Sequence, residues 1–443
     1  MPDYPIALRN SDVWHLILSV VDRKTRLALV QTCHILNQQA APYLLGDVVL
    51  QGLGPRKLSS FLQFIAPRDD DEQSAYRLRS LRGLSLQIVN LPPSIDALLA
   101  LFARLQQHGT DLTRLRISVS DMATTPLNTE TPRLGEAIAS LQHIRDLELE
   151  LSHPLCYEIL HATRSRLVSL KLRSRGQAVN PIPLLLNSQD TLEKLDTNLP
   201  WNDSGPCPCY PRVRDLTLKC TVLPRTMYFV GAFPNLQALR ISSLGEPSAE
   251  TPRWHESTFP LLRLFSGSFN DLYVLGVRHR LNNLKIHIGH SLDDFSQLRA
   301  VLSESSPSCL SLEIGQLRGG QCLTNAAFIS LFSPSLLPRL STLALDCKWG
   351  SHEDTDPDAI EEALAVIAMS LPLKTFKVVL RLQDLRYHAR GHLEWKLDIW
   401  DAEDLADQLL DRQPFLMSSN VEIAVDPYTP NRATLRRPSA GPS

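Results

Sequence analysis

One short apolar pattern returns along most of this 443-residue chain: an apolar residue, two variable positions, usually Leu, one variable position and a last apolar residue. The first copy is Leu81, Leu84 and Leu86. Two copies, at Leu195 and Leu264, lack the last apolar residue, so their exact phase is open. The middle residues of the copies fall at positions 84, 115, 147, 170, 195, 216, 239, 264, 284, 312, 343 and 376. Such regular self-similarity predicts stacked repeats of one structural unit.

The two apolar residues that are separated by one variable position predict a short strand with alternate side chains facing a core. The rest of each unit must return the chain to the start of the next strand. Amphipathic patterns at 95–107, 134–142, 295–303 and 359–370 predict helical returns, whereas Pro and Gly in the shorter middle units favour loops or short helices. The sequence therefore predicts an α/β solenoid of parallel strands. An ordinary α/β domain with Leu-rich strands remains the alternative.

Over roughly residues 78–425 this pattern resembles the leucine-rich-repeat family, which implies a horseshoe-shaped solenoid. The family usually has Asn or Cys three residues after the last apolar position of each unit. Here that position holds other residues, such as Val89, Ser120 and Lys348. We therefore expect an irregular solenoid, without the ladder of Asn side chains that supports the turns in regular members.

The first fifty residues differ from the repeats. Residues 11–41 predict three short helices, with Val13, Ile17 and Val21 at helical spacing in the first and Pro42 ending the third. Three such helices carry more apolar surface than about forty residues can bury internally. This module should therefore pack against something else.

The same stretch resembles an F-box, through Asp12-Val13-Trp14, Ile17-Leu18 and the run from Asp22 to Asn37, which follows the version common in fungal F-box proteins. It departs from the family at Arg9-Asn10, where an F-box has Leu-Pro. The resemblance implies docking on the Skp-type linker subunit of a cullin–RING ligase. The residues implied in that contact are Asp12, Val13, Ile17, Val21, Leu27 and Val30. Alternatively, the helices simply cap the open end of the solenoid.

An F-box followed by leucine-rich repeats is the layout of substrate-recognition adaptors in SCF-type E3 ubiquitin ligases. The resemblance thus implies two protein partners, the linker subunit and a target for ubiquitination, and no chemistry of the chain's own. The alternative is a repeat scaffold for protein–protein interaction that has no role in ubiquitination.

Strand positions between the apolar residues should project outward and could contact a target. Basic residues outnumber acidic ones at these positions, so an acidic or phosphorylated peptide is one candidate ligand, because Arg pairs with phosphate through two hydrogen bonds. A solvated face of mixed charge is the plainer interpretation for any single residue. The basic candidates are Arg82, Arg114, Arg116, Lys171, Arg240 and Lys285.

Composition limits the remaining classes. The net charge of −2 argues against a whole-surface basic field for nucleic acid. Because the sequence has neither a signal-peptide pattern at its start nor an apolar run of about 20 residues, we expect a soluble cytoplasmic or nuclear protein without membrane partners. Cys207 and Cys209 are the one close cysteine pair and lack a second ligand pair, so we expect no metal or cofactor. The segment from Gly289 to Asp293 lacks the last glycine of a nucleophile elbow, and we expect no enzyme activity.

These interpretations divide the chain into four parts. Residues 1–50 form the F-box-like helical module, and residues 51–77 form a linker with an acidic stretch. Residues 78–425 form the leucine-rich-repeat solenoid, and residues 426–443 form a disordered tail.

Overall fold

The computed structural model has two compact units: the first comprises 1–213 and 224–233, and the second comprises 214–223 and 234–443. The residues that the structure describes are 11–32, 34–65, 72–89, 91–119, 130–175, 182–198, 208–220, 227–243, 259–289, 295–315, 319–350, 356–383, 400–424 and 431–437.

The first unit has six described strands, and each pairs in parallel with the next along the chain. They are β1 (Asp47–Leu53), β2 (Gly83–Ile88), β3 (Arg114–Val119), β4 (Asp146–Ser152), β5 (Ser169–Arg175) and β6 (Lys194–Thr197). Its helices are α1 (Ser11–Val20), α2 (Arg23–Val30), α3 (His34–Leu45), α4 (Pro55–Ile65), α5 (Glu72–Arg79), α6 (Ile95–Gln107), α7 (Glu130–Ala139), α8 (His153–Ala162) and α9 (Met227–Ala232), with 3₁₀ turns at Pro92–Ser94 and Ile182–Ser188.

Strand β3 illustrates why these segments form sheet. Leu115, Ile117 and Val119 are buried, while the alternating Arg114 and Arg116 are exposed, as the period of two requires. The buried side chains form a core with the apolar faces of the returning helices; α6, for example, buries five apolar side chains. The opposite, polar face of the strands carries the charged residues.

The second unit repeats this plan. From β7 to β14, every strand pairs in parallel with the next. The strands are β7 (Asp215–Cys220), β8 (Ala238–Ser243), β9 (Leu264–Ser268), β10 (Asn283–Ile288), β11 (Cys309–Ile314), β12 (Thr342–Gly350), β13 (Thr375–Gln383), β14 (Ser418–Ala424) and β15 (Asn431–Arg436). Its described helices are α10 (Phe269–Leu275), α11 (Ser296–Ser305), α12 (Gly319–Thr324), α13 (Ala326–Ile329), α14 (Pro357–Ser370) and α15 (Ala402–Arg412).

All twelve predicted strand anchors lie in strands, β2 to β13, so the prediction of parallel α/β repeats is confirmed at that level. The register corrects the phase of two copies. Phe265, rather than Leu264, pairs with Leu239 and Leu284, and Leu310, rather than Leu312, pairs with Leu284.

The missing apolar residue of the β9 copy has a steric reason. Its last position is Gly267, where a Cβ atom would lie 2.9 Å from the ring of Phe265 on the same strand and 3.4 Å from Cβ of Ile241. The large Phe265 ring occupies the space that a third apolar side chain would fill. A search for Leu at the middle position therefore misses this repeat by one residue.

Regular structure extends beyond the predicted array at both ends. Within the range predicted as a linker, β1 ends and α4 and α5 make a helical return to β2. The acidic residues 69–71 of that range lie outside the described residues. Within the range predicted as a tail, β15 pairs antiparallel with β14, and Arg437 donates hydrogen bonds to the carbonyls of Pro414 (2.6 Å) and Leu410. A hairpin thus covers the outer edge of β14, which reduces exposure of unpaired strand backbone.

Candidate interaction sites

The three N-terminal helices pack on the start of the first unit. Helix α3 contacts β1 and α5, and both α1 and α2 contact α3. Leu36, Ala40 and Leu45 of α3 are buried, as is Leu18 of α1. One face of the module is therefore used for attachment to the repeats.

Arg26 of α2 connects all three helices. Its guanidinium donates hydrogen bonds to the carbonyl oxygens of Val21 and Tyr43, both at 2.9 Å, and lies 5.6 Å from the centre of the Tyr43 ring. Helix α2 is capped at its N-terminus by Asp22, whose carboxylate accepts hydrogen bonds from the backbone N–H groups of Lys24 and Thr25. These hydrogen bonds, with that of the Thr25 hydroxyl, lower the pKa of Asp22. The positions of the three helices are thus fixed by polar contacts as well as by the core.

Three of the six residues predicted to bind the linker subunit have side chains that the structure describes. Ile17 and Val21 are half-buried, and Leu27 has 47% of its surface exposed. Among the apolar side chains of α1 that the structure describes, the most exposed are Leu16 (67%) and Val20 (75%), which lie one helical turn apart. The side chains of the other three predicted residues, Asp12, Val13 and Val30, lie outside the described part of the structure.

Sequence reasoning missed Leu16 and Val20 because it selected the stripe that contains Ile17. Both stripes have helical spacing, and only the packing of α1 on α3 distinguishes them. Leu18 is buried in that packing, and residues two positions away along a helix project to nearly the opposite side, which exposes Leu16 and Val20. The candidate docking residues of the module are therefore Leu16 and Val20 on α1, with Leu27 exposed on α2.

The charged residues on the strand face of the first unit pair across strands. Glu148 on β4 lies between two cations: its Oε1 is 2.5 Å from Nζ of Lys171 on β5, and its Oε2 is 3.5 Å from Nε of Arg116 on β3. Arg173 of β5 donates to both carboxylate oxygens of Asp196 on β6, at 2.8 and 2.5 Å. This alternation of charge follows from the register, which sets Arg116, Glu148 and Lys171 opposite one another.

Two further predicted cations, one in each unit, also have partners. Arg114 of β3 donates to Asp47 of β1 across Gly83, at 2.7 Å, and a Cβ on Gly83 would lie 2.1 Å from that carboxylate. In the second unit, Arg240 of β8 pairs with Asp215 of β7. The exposed members of such pairs contribute about 0–1 kcal/mol each to stability.

The second unit concentrates charge around Glu313 of β11. Its Oε1 accepts a hydrogen bond from Nζ of Lys348 at 2.6 Å, and its Oε2 accepts one from Nδ1 of His287 at 2.9 Å. Nζ of Lys285 lies 3.4 Å from the same Oε2. The hydrogen bonds from His287 and Lys348 hold the pKa of Glu313 well below its usual value despite its partial burial. On the next strand, burial raises the pKa of Asp346.

Five of the six cations predicted to contact a target are thus already paired: Arg114, Arg116, Lys171, Arg240 and Lys285. The sixth, Arg82, immediately precedes β2 and lies at the end of the strands instead of on their face. That these residues bind a target stays a prediction. Aligning the repeats by their anchors would have indicated the pairing, because it sets the acid of one strand beside the base of the next.

No group of three or more His, Cys, Asp or Glu side chains suited to a metal ion occurs among the described residues. Cys209 is exposed and unbridged, and Cys207 lies outside the described part. None of the described helices combines the length and apolar character needed to cross a membrane. No protein-family model matches the chain, and no curated protein sequence matches it either.

Proposed function

We propose that this chain is a substrate-recognition adaptor of an SCF-type cullin–RING E3 ubiquitin ligase. Its helices α1–α3 act as an F-box that docks on the Skp-type linker subunit, and its repeats, of the leucine-rich type, hold a target protein. The observation that carries this proposal is the exposure of the apolar side chains of Leu16 and Val20 on α1 and of Leu27 on α2, in a module that α3 anchors to the repeats.

Exposed apolar side chains that lie one helical turn apart are suited to contact with a partner helix. Burying each such side chain contributes about 1.5–3 kcal/mol. Arg26 fixes α2 against α1 and α3 before any partner binds, which lowers the entropy lost on docking. The F-box resemblance of the same stretch supplies the identity of the proposed partner.

The repeats support the second half of the proposal. Stacked parallel strands present rows of outward side chains on a rigid surface, and repeat proteins commonly bind other proteins through such a surface. An adaptor needs no reactive group, only two surfaces on one chain. The helical module and the strand faces provide these.

The test is copurification of the full chain with a Skp-type linker subunit, followed by measurement of the dissociation constant. We expect a stoichiometric complex that Leu16→Glu with Val20→Glu weakens at least about tenfold, since both charges would be buried at the contact. Leu186→Glu is the matched control, because Leu186 is an exposed leucine of the same unit, outside the module. A folded wild-type chain that binds no linker, or a double variant that binds like wild type, would contradict the proposal.

A second candidate is a repeat scaffold whose N-terminal helices only cap the first strand. The packing of α3 on β1 favours it, because the buried side chains of α3 cover apolar surface that the first strand would otherwise expose. In that case the linker would not bind, and removing α1 and α2 would leave target binding unchanged.

A further inference from the structure

The first unit has an open depression at the N-terminal ends of its strands, separate from both surfaces described above. Its volume is about 850 Å³. Arg82, Thr113 and Arg145 line it from the positions immediately before β2, β3 and β4, and Arg164 and Arg166 line it from the segment between α8 and β5. We call these four arginines with the neighbouring His143 the basic edge.

The basic edge differs from the strand face in its lack of counter-charges. One carboxylate, Asp111, lines the depression. Within the part of the chain that the structure describes, the side chains of Arg82, Arg145, Arg164 and Arg166 have no ion pair or hydrogen bond. Four guanidinium groups therefore face one open volume with a single acid among them.

Such a site is suited to a compact anion of high charge. Guanidinium groups bind phosphate through paired hydrogen bonds, and unpaired ones need not first release a protein carboxylate. Because neighbouring strands lie about 4.8 Å apart, the three steps from β2 to β5 span roughly 14 Å. An extended peptide of about four residues covers that distance.

The shape and composition of the depression favour a peptide over nucleic acid. No Phe, Tyr or Trp side chain lines it on which a base could stack, and its basic character is local in a chain of net charge −2. We propose that the basic edge binds a phosphorylated, acidic segment of a protein. That this segment belongs to a ubiquitination target rests on the proposed function; the binding of the phosphopeptide itself does not.

The experiment measures fluorescence anisotropy of the purified full chain with a labelled acidic heptapeptide that carries two phosphoserines flanked by aspartates. We expect saturable binding, weakened at least about tenfold by the pair Arg145→Glu and Arg166→Glu. The pair Arg145→Lys and Arg166→Lys should bind with intermediate affinity, since it keeps the charge and loses the paired hydrogen bonds. Arg56→Glu on α4 is the matched control and should change the affinity less than about twofold.

Three outcomes would overturn the proposal. The first is no saturable binding below about 1 mM peptide. The second is equal affinity for the same peptide without phosphate. The third is equal or tighter binding of single-stranded DNA that the glutamate pair also abolishes, which would make the edge a nucleic-acid site.

The linker subunit is assayed separately on the same proteins. If the glutamate pair retains linker binding while the wild-type chain fails to bind phosphopeptide, only the basic edge is refuted. If phosphopeptide binds and the linker does not, the ligase proposal fails and the anion site remains.

Discussion

The strand face and the basic edge of the first unit carry the same kinds of cation in opposite electrostatic settings. On the face, Arg116 and Lys171 both form ion pairs with Glu148, and Arg173 donates two hydrogen bonds to Asp196. At the edge, a few residues earlier in the same repeats, Arg145 and its neighbours have no acidic partner among the described residues.

Register explains the difference. Residues on paired strands lie side by side at a fixed spacing, so an acid on one strand can meet a base on the next, as Glu148 meets Arg116 and Lys171. Residues before the strands belong to irregular returns, whose lengths vary from unit to unit. A charged ligand must therefore compete with a carboxylate on the face, whereas it meets free guanidinium groups at the edge.

Removing Glu313, the central acid on the strand face of the second unit, should have the largest effect on stability. Glu313→Gln leaves Lys285, His287 and Lys348 without their shared carboxylate, so we expect the free energy of unfolding to fall by about 1–3 kcal/mol. Urea unfolding measures this change. Glu362→Gln, on the exposed side of α14, is the matched control and should stay within about 0.5 kcal/mol of wild type. An equal effect of both substitutions would mean that the pairing on the face contributes nothing.

The pH dependence of the stability difference between wild type and Glu313→Gln tests whether the ion pairs cause it. The pKa of Glu313 is lowered in the folded chain, so its contribution is fully present above the unfolded value of about 4.3 and is lost as the pH falls towards the folded pKa. The gap in stability between wild type and Glu313→Gln should therefore be wide at pH 7 and narrower at pH 3. A gap that is unchanged between these pH values would argue for a packing effect of the side chain.

A smaller loss of stability is expected when an ion pair on the strand face of the first unit is removed. Asp196→Asn removes the carboxylate that holds Arg173 through two hydrogen bonds, and we expect a loss of about 1 kcal/mol in urea unfolding. The freed Arg173 should also bind the phosphopeptide weakly, even when Arg145 and Arg166 are glutamate. If the triple variant gains no such binding, the absence of a carboxylate is not sufficient to make an anion site.

Most of the fold could be predicted from the spacing of Leu, and its exceptions have physical causes. All twelve anchors fall in strands, because alternating burial imposes the same short pattern on each unit. The phase of strand β9 was predicted wrongly because its last apolar position is Gly267, and the Phe265 ring fills the space there. Strand β14 was not predicted, since Ser419 occupies the position that Leu holds elsewhere and is buried there.

The candidate sites were less predictable, because they depend on which residues meet across repeats. Sequence reasoning found the basic residues of the face and Arg82 of the edge. It did not pair Arg116 with Glu148, which are 32 residues apart and meet only through the register. Nor could helical spacing distinguish Leu16 from Ile17 before the packing of α1 on α3 was known.

The smallest change in stability, and one of opposite sign, is expected for a substitution at the basic edge. Arg145→Gln breaks no described pair and relieves repulsion among the arginines of the depression, so stability should rise slightly, by less than about 0.5 kcal/mol. Arg116→Gln on the face is the matched control and should lower stability, because Glu148 then loses one of its two cations. Added pyrophosphate should stabilise wild type more than Arg145→Gln, since an anion that binds only the folded chain shifts its unfolding. Equal changes in the thermal midpoints of both variants, with and without pyrophosphate, would remove the distinction between face and edge.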